Sequence, residues 1–292
     1  VAEAKRTRAQ ALRGVGYAAF TLAIFLISLW QVFPYGELAR RAEERLRQAD
    51  VAVRIEGLGP GAFPGLAARR VRLELDQPGR AALAFQDVRA RIPLLGLARG
   101  RGVLEFQART LGGTVQGSAE LTGERSAAVS VQGVDLGQIP LPEPVEELAL
   151  SGTLTAQLDL TLDRQAPEQS SGRLESTLRG VKIEAGKVRG IPVPAVNLGD
   201  GRVRASSEAG KLEVETLTFE NGDMGVEFSG SVLLRADTSR SLVNGLLSLR
   251  PNEKASQDLA LLFAVFPGPR ASDGRYTARV RGSLASPRLV TR

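Results

Sequence analysis

The sequence predicts a mainly β protein: a single N-terminal transmembrane helix followed by a long curved antiparallel β-sheet, with a few short helices. Three observations predict it. Residues 14–33 carry no charge; from residue 51 onward apolar and polar residues alternate with period two in segment after segment; and glycine-containing turn sequences separate those segments.

The first element is "GVGYAAFTLAIFLISLWQVF". Twenty helical residues at about 1.5 Å each reach roughly 30 Å, the thickness of a bilayer's hydrocarbon core. A cleavable signal has a shorter apolar region and a small-residue cleavage site, whereas this run continues into Gln31, Val32, Phe33, Pro34 and Tyr35. The expected anchor residues are Phe20, Leu22, Ile24, Phe25, Leu26, Ile27, Leu29 and Trp30. Lys5, Arg6, Arg8 and Arg13 precede the run, so residues 1–13 are expected in the cytoplasm and everything after Phe33 outside the inner membrane. Trp30, Phe33 and Tyr35 fall where an aromatic belt meets the outer interface. The alternative is a buried core helix, but nothing downstream is patterned to surround one.

Residues 34–50 place Leu38, Ala42, Arg45 and Leu46 at helical spacing among charges, which predicts a short juxtamembrane helix. The rest, 51–292, is read as a periplasmic β domain. "RVRLELD" puts Val71, Leu73 and Leu75 on one side and Arg70, Arg72, Glu74 and Asp76 on the other, a strand with one wet face. The pattern recurs in "ALAF", "VRARI", "VLEFQA", "TVQGSAEL", "AAVSVQG", "GTLTAQLDLTL", "KLEVETLTFE", "GVEFSGSVLL" and "RYTARVRGSL". "LGG", "TGE", "NGD" and "SDG" between them are hairpin turns, so the body is a meander. Residues 163–172 and 234–240 read as exposed hairpin loops, and the proline-rich 139–148 as a connection between two parts of the sheet and a sub-boundary. A second helix is expected over 252–266, with Leu259, Leu262, Phe263 and Phe266 on one face, Asn252 as N-cap and Pro267 as stop.

Composition limits the chemistry. Without cysteine there is no disulfide framework or thiolate metal site, and without histidine there is no Ser-His-Asp or Cys-His nucleophile system and no HExxH zinc site. "LGGTVQG" and "LARGRG" lack the lysine and the following helix of a phosphate loop. Glu143, Glu146 and Glu147 could hold a divalent cation or act as a carboxylate pair, but a solvated loop explains them more simply, and Asp200, Asp223 and Asp273 are turn residues. Ser170, Ser171, Ser206 and Ser207 have no base nearby in sequence. The reading is therefore a non-enzyme, with no catalytic residue, cofactor or metal. The net charge of +6 is concentrated early: residues 51–109 carry 10 basic and 5 acidic side chains, against 20 and 22 in residues 110–292. That suits anionic inner-membrane lipids, or simply the solvent side of strands, and 5% aromatics argue against a nucleic-acid platform.

Ten or more strands each present an apolar face, and one fifteen-residue helix cannot cover them all. The sheet must close into a sandwich or barrel, or bend into a trough whose apolar side meets lipid or protein. Ala82, Ala90, Ala108, Ala119, Ala156 and Ala278, alternating inward, would leave space inside.

Several phrases together carry a resemblance. They are "FPYGELARRAEERLRQADVAVRIEGLGPGAFPGLAARRVRLEL" after the anchor, then "ARIPLLGLARGRGVLEFQARTLGGTVQGSAEL", and at the end "DGRYTARVRGSLASPRL". In this order they resemble the protein N family of type II secretion systems, in its myxobacterial form, over nearly the whole chain. "PLLGLARG", "GGTVQG" and "GSLASPRL" are also similar to the wider AsmA-like group. The resemblance implies an inner-membrane, periplasmic component of the secretion machine, without catalytic residues, whose partners are other secretion or envelope proteins. The AsmA-like likeness implies lipid handling along a hydrophobic groove; in that case the inward positions Val71, Leu73, Leu75, Phe85, Leu104 and Phe106 are the candidate lining, and Arg69, Arg70, Arg99 or Arg101 the candidate headgroup contacts.

Overall fold

The computed structural model describes residues 20–21, 24–25, 28–48, 52–74, 83–93, 96, 100, 102–122, 125–139, 148–162, 170–188, 191–233, 241–252, 271–283 and 286–290. Helix α1 (Tyr35–Arg47) is followed by strands β1 (Ala52–Glu56), β2 (Gly59–Pro60), β3 (Gly65–Glu74), β4 (Leu83–Arg91), β5 (Val103–Thr110), β6 (Gly113–Glu120), β7 (Arg125–Asp135) and β8 (Leu150–Leu162). Then come β9 (Ser171–Ile183), β10 (Gly186–Val188), β11 (Ile191–Val193), β12 (Val196–Glu208), β13 (Lys211–Glu220), β14 (Met224–Leu233), β15 (Leu242–Pro251), β16 (Tyr276–Ser283) and β17 (Ser286–Val290).

Alternation makes each strand two-faced, and short turns make each strand pair with the next. The result is one 15-stranded antiparallel sheet in which every neighbour is the next strand in the chain, except that β9 pairs with β12 around the small β10–β11 hairpin and β2 lies beside β3. At the β5–β6 turn Thr110 pairs with Gly113, so Leu111 and Gly112 form a two-residue loop with φ of 48° and 76°. Both central residues of such a turn need positive φ, which is why glycine stands at one of them. The proline-rich run 139–148 joins β7 to β8, and these pair directly from Arg125–Leu162 to Asp135–Thr153, so the sheet continues unbroken across it.

"ALAF" and "VRARI" are one strand, β4, rather than two. Between Gln86 and Arg89 the pairing with β5 shifts by one residue, and Asp87 adopts φ of 49°. This bulge changes the phase, so that Leu83 and Phe85 before it and Val88 and Ala90 after it all reach the same face. β3 changes phase at the same level, with Ala68 opposite Val88 but Val71 opposite Phe85. Further bulges fall at Gly133, Gly152, Gly199 and beside Glu215, each adding local twist. β1, β2, β9, β10, β11, β12, β15 and β17 are additional to the strands read from the sequence.

The sheet is open. β1 and β17 stand at opposite ends of the strand order and do not pair, which decides between the closed and open alternatives. The chain exposes 20166 Å², where a compact monomer of 31.1 kDa would expose roughly 12,000 Å². The best-packed cluster, Val196, Met224 and Leu249 with Leu198, Val226, Leu247 and Tyr276, sits on the apolar face around β12, β14, β15 and β16.

Helix α1 closes the β1 end. Its Tyr35 and Ala39 are buried, it packs against β1 and β2, and Glu43 Oε1 accepts a hydrogen bond from the Ile55 backbone N–H at 2.6 Å. Residues 20, 21, 24, 25 and 28–32 are helical, and Leu22, Leu26 and Ile27 lie outside the described residues. Among the described residues no helix is long and apolar enough to cross a membrane. The helix expected over 252–266 also lies outside them from residue 253 on; Asn252 itself donates from its backbone N–H to the Asp223 carbonyl at 2.8 Å.

Candidate functional site

The strand registers align the inward residues of successive strands into rows that cross the whole sheet. One row runs Leu66, Ala90, Phe106, Gly117, Val129, Leu158, Leu174, Ala205, Val214, Gly230, Gly245, Val280, Leu289, each residue directly opposite the next. It contains no polar side chain across thirteen strands. A parallel row runs Ala108, Val115, Val131, Ala156, Ser176, Val203, Leu217, Phe228, Leu247, Ala278. A third, Val134, Leu154, Leu178, Gly201, Phe219, Val226, Leu249, Tyr276, adds the face's one titratable group among these rows. At about 4.8 Å between strands, thirteen strands make a ribbon on the order of 60 Å across. Serine at 176 is the mildest of interruptions, so what this face can do chemically is exclude water and hold apolar matter.

Five of the six small residues expected to point inward, Ala90, Ala108, Ala119, Ala156 and Ala278, do lie on this face, and Ala82 is outside the described residues. Glycines on the face are roofed by aromatic rings: a Cβ on Gly117 would lie 2.6 Å from Phe106 Cζ, on Gly201 2.6 Å from Phe219 Cε1, and on Gly245 2.6 Å from Phe228 Cζ. Each ring thus lies flat over a neighbouring strand and covers backbone that glycine leaves bare, a contact that alternation alone does not signal.

The groove-lining candidates divide cleanly. Val71 stands between Ile55 and Phe85, and Leu73 between Val53 and Leu83, on the apolar face; Phe106 stands between Ala90 and Gly117 and Leu104 opposite Ala119 on the same face; Leu75 lies outside the described residues. The headgroup candidates do not gather beside them. Arg70 points to the opposite face and pairs with Glu56 at 3.7 Å, a carboxylate that also sits 3.9 Å from Arg72. Arg69 is exposed at the phase change of β3, its Cβ packed beneath Gly57, and Arg99 and Arg101 lie outside the described residues.

The opposite face is polar and mostly charge-balanced. Arg91 and Glu105 meet at 2.7 Å, Arg109 and Asp87 at 3.3 Å, Lys211 and Glu213 at 3.2 Å, and Arg275 lies 3.2 Å from Asp273 and 3.5 Å from Glu227. A shallow depression between Arg89, Arg91, Glu105, Gln116, Gln157 and Asp159 lies on this face and includes the paired Arg91 and Glu105. Among the described residues no group of acidic side chains could hold a metal ion, and Glu143, Glu146 and Glu147 fall outside them.

In comparisons with known proteins, no family model, no curated protein and no solved structure matches the chain.

Proposed function

We propose that the chain is a non-enzymatic periplasmic component of a type II protein secretion system, held in the inner membrane by residues 14–33 and contributing to assembly or stability of the machine through its sheet. The observation that carries this reading is the open sheet whose apolar face holds a row of thirteen residues without a polar side chain, a surface suited to association and not to bond-making. The apolar helical residues before it add support: Phe20, Ile24, Phe25, Leu29 and Val32 are all exposed, Phe25 by 61% and Val32 by 82%, around half of the helix circumference. Such an arc has no partner among the described residues of the β domain and suits lipid. The test compares the extracellular proteome of a strain lacking this protein with its parent and with a strain lacking the outer-membrane secretion channel. The same exported proteins should disappear from both mutants; unchanged export would end this reading.

A second reading, an AsmA-like module that binds or transfers phospholipid, is favoured by the same face, whose leucines, valines and phenylalanines suit acyl chains. Mass spectrometry of lipid co-purifying with the chain tests it. Phospholipid should be recovered with the parent and lost with Phe106→Asp, which puts a charge into the longest apolar row.

A further inference from the structure

We propose that the free edge of β17 is a docking site for an extended acidic segment of a partner protein, which adds a strand to the sheet there. This rests on the reading of the chain as a binding component and names the chemistry of one partner.

The two ends of the sheet are treated differently. At the β1 end, α1 covers the strand and Glu43 takes the Ile55 N–H, so the edge is blocked. At the other end β17 pairs with β16 alone, and among the described residues nothing meets its outer side. An uncovered edge offers backbone donors and acceptors to any added strand.

Charge then selects the strand. On the polar face one row runs Arg91, Glu105, Ser118, Ala128, Asp159, Arg173, Ser206, Glu213, Ser231, Asn244, Arg281, Arg288. No two like charges stand directly opposite one another along it until the last two strands, where Arg281 and Arg288 face each other directly. Arg279 stands beside them, opposite Val290, and none of the three makes an ion pair among the described residues. Like charges placed opposite one another destabilise a strand pair, so a carboxylate arriving next to Arg288 relieves a repulsion as well as forming a contact. Leu246, Arg279 and Val290 form the adjacent row, with Leu246 46% and Val290 43% exposed on this otherwise polar side. An added strand of alternating acid and apolar residues would set its acids on the face of Arg288, with Arg279 and Arg281 beside them, and its apolar side chains on the face of Leu289. A second copy of this chain is a poor occupant, since two-fold pairing of β17 brings the arginines of both copies together.

The test uses the full chain in detergent micelles and dye-labelled, end-blocked octapeptides of alternating Glu and Val or alternating Lys and Val. The Glu peptide should bind at least about fivefold more tightly and slow amide exchange at residues 286–290 while leaving β1 unchanged. Arg288→Glu should reverse the preference, and Arg89→Glu, far from the edge, should not. A Glu peptide N-methylated at every residue keeps its charge but has no backbone N–H to donate at either edge, and should bind at least about fivefold more weakly. Equal binding of Glu and Lys peptides, or of methylated and unmethylated ones, overturns the proposal, as does protection elsewhere. Self-association through 286–290 would give the edge to a second copy. Loss of binding to phosphatidylglycerol vesicles in the Arg279/Arg281/Arg288→Ala variant, with no peptide binding by the parent, would assign the arginines to lipid headgroups instead. Failure here leaves the secretion comparison standing, and unchanged secretion leaves the peptide result standing.

Discussion

Phe106 lies across Gly117: a Cβ at Gly117 would stand 2.6 Å from the ring's Cζ and 2.5 Å from the Ala128 carbonyl oxygen. The glycine is there because the ring needs its space, and the ring is there because exposed sheet backbone needs a cover. Gly117→Ala should therefore destabilise the sheet by about 1–3 kcal/mol, as overpacking does, which lowers the melting temperature by several degrees. Adding Phe106→Leu should recover part of the loss and not all of it, because the Ala128 backbone cannot swing aside. A Gly117→Ala protein that melts with its parent would show that the ring is not seated there.

The bulge at Asp87 makes a sharper prediction. Deleting Asp87 forces Gln86 and Val88 into adjacent positions of a regular strand, so either Leu83 and Phe85 or Val88 and Ala90 must turn to the polar face. Loss of cooperative unfolding or of soluble protein is expected. Asp87→Gly, by contrast, suits the φ of 49° and removes only the exposed pair with Arg109 at 3.3 Å, so its cost should stay within about 1 kcal/mol. A deletion as stable as the glycine variant would mean that the phase of β4 does not matter.

That bulge also marks what the sequence makes legible. Where alternation is unbroken, as in Leu154, Ala156, Leu158 and Leu160, strand and face follow directly. Where one residue is inserted, the pattern reads as two short strands, although the structure has one. β12 escapes for another reason: its inward positions include Gly201, Ala205 and Ser207, too small or too polar to register as apolar. β15 carries Leu242 and Leu246 outward and Val243 and Leu247 inward, so its alternation disappears. The apolar face was foreseeable from the strands that did register. Its openness was not, because closure depends on bulges, twist and the two ends of the sheet together. The unbalanced Arg281–Arg288 pair is invisible until the register sets Arg281 opposite Arg288.

At the β1 edge one side chain, Glu43, occupies the Ile55 backbone N–H beneath α1. Glu43→Ala should leave the Ile55 N–H without its partner, at a cost of about 0.5–1.5 kcal/mol if water replaces the carboxylate imperfectly. Amide exchange at Ile55 should accelerate while that in β12 is unchanged. Equal exchange at Ile55 in variant and parent would show that α1 packing alone shields the edge.

Tyr35 links the apolar helical residues to the β domain, and its titration can be followed through the chain's single tryptophan. Its hydroxyl donates to the Trp30 carbonyl, its ring meets Trp30 edge-on with centroids 5.9 Å apart, and burial raises its pKa above the ordinary value. A raised pKa means that the fold favours the neutral phenol. The stabilisation is fully present below the unfolded value of about 10 and is lost as pH rises through the higher folded value. Phenolate beside an indole quenches it, so Trp30 emission should fall in a step at a pH above that of an ordinary tyrosine. Tyr35→Phe should abolish the step and lower the melting temperature at neutral pH, because the hydroxyl's hydrogen bond to the Trp30 carbonyl is lost. A step that persists in Tyr35→Phe would assign the titration to another group; a step at the ordinary tyrosine value would show that the Tyr35 hydroxyl is not held in this buried contact.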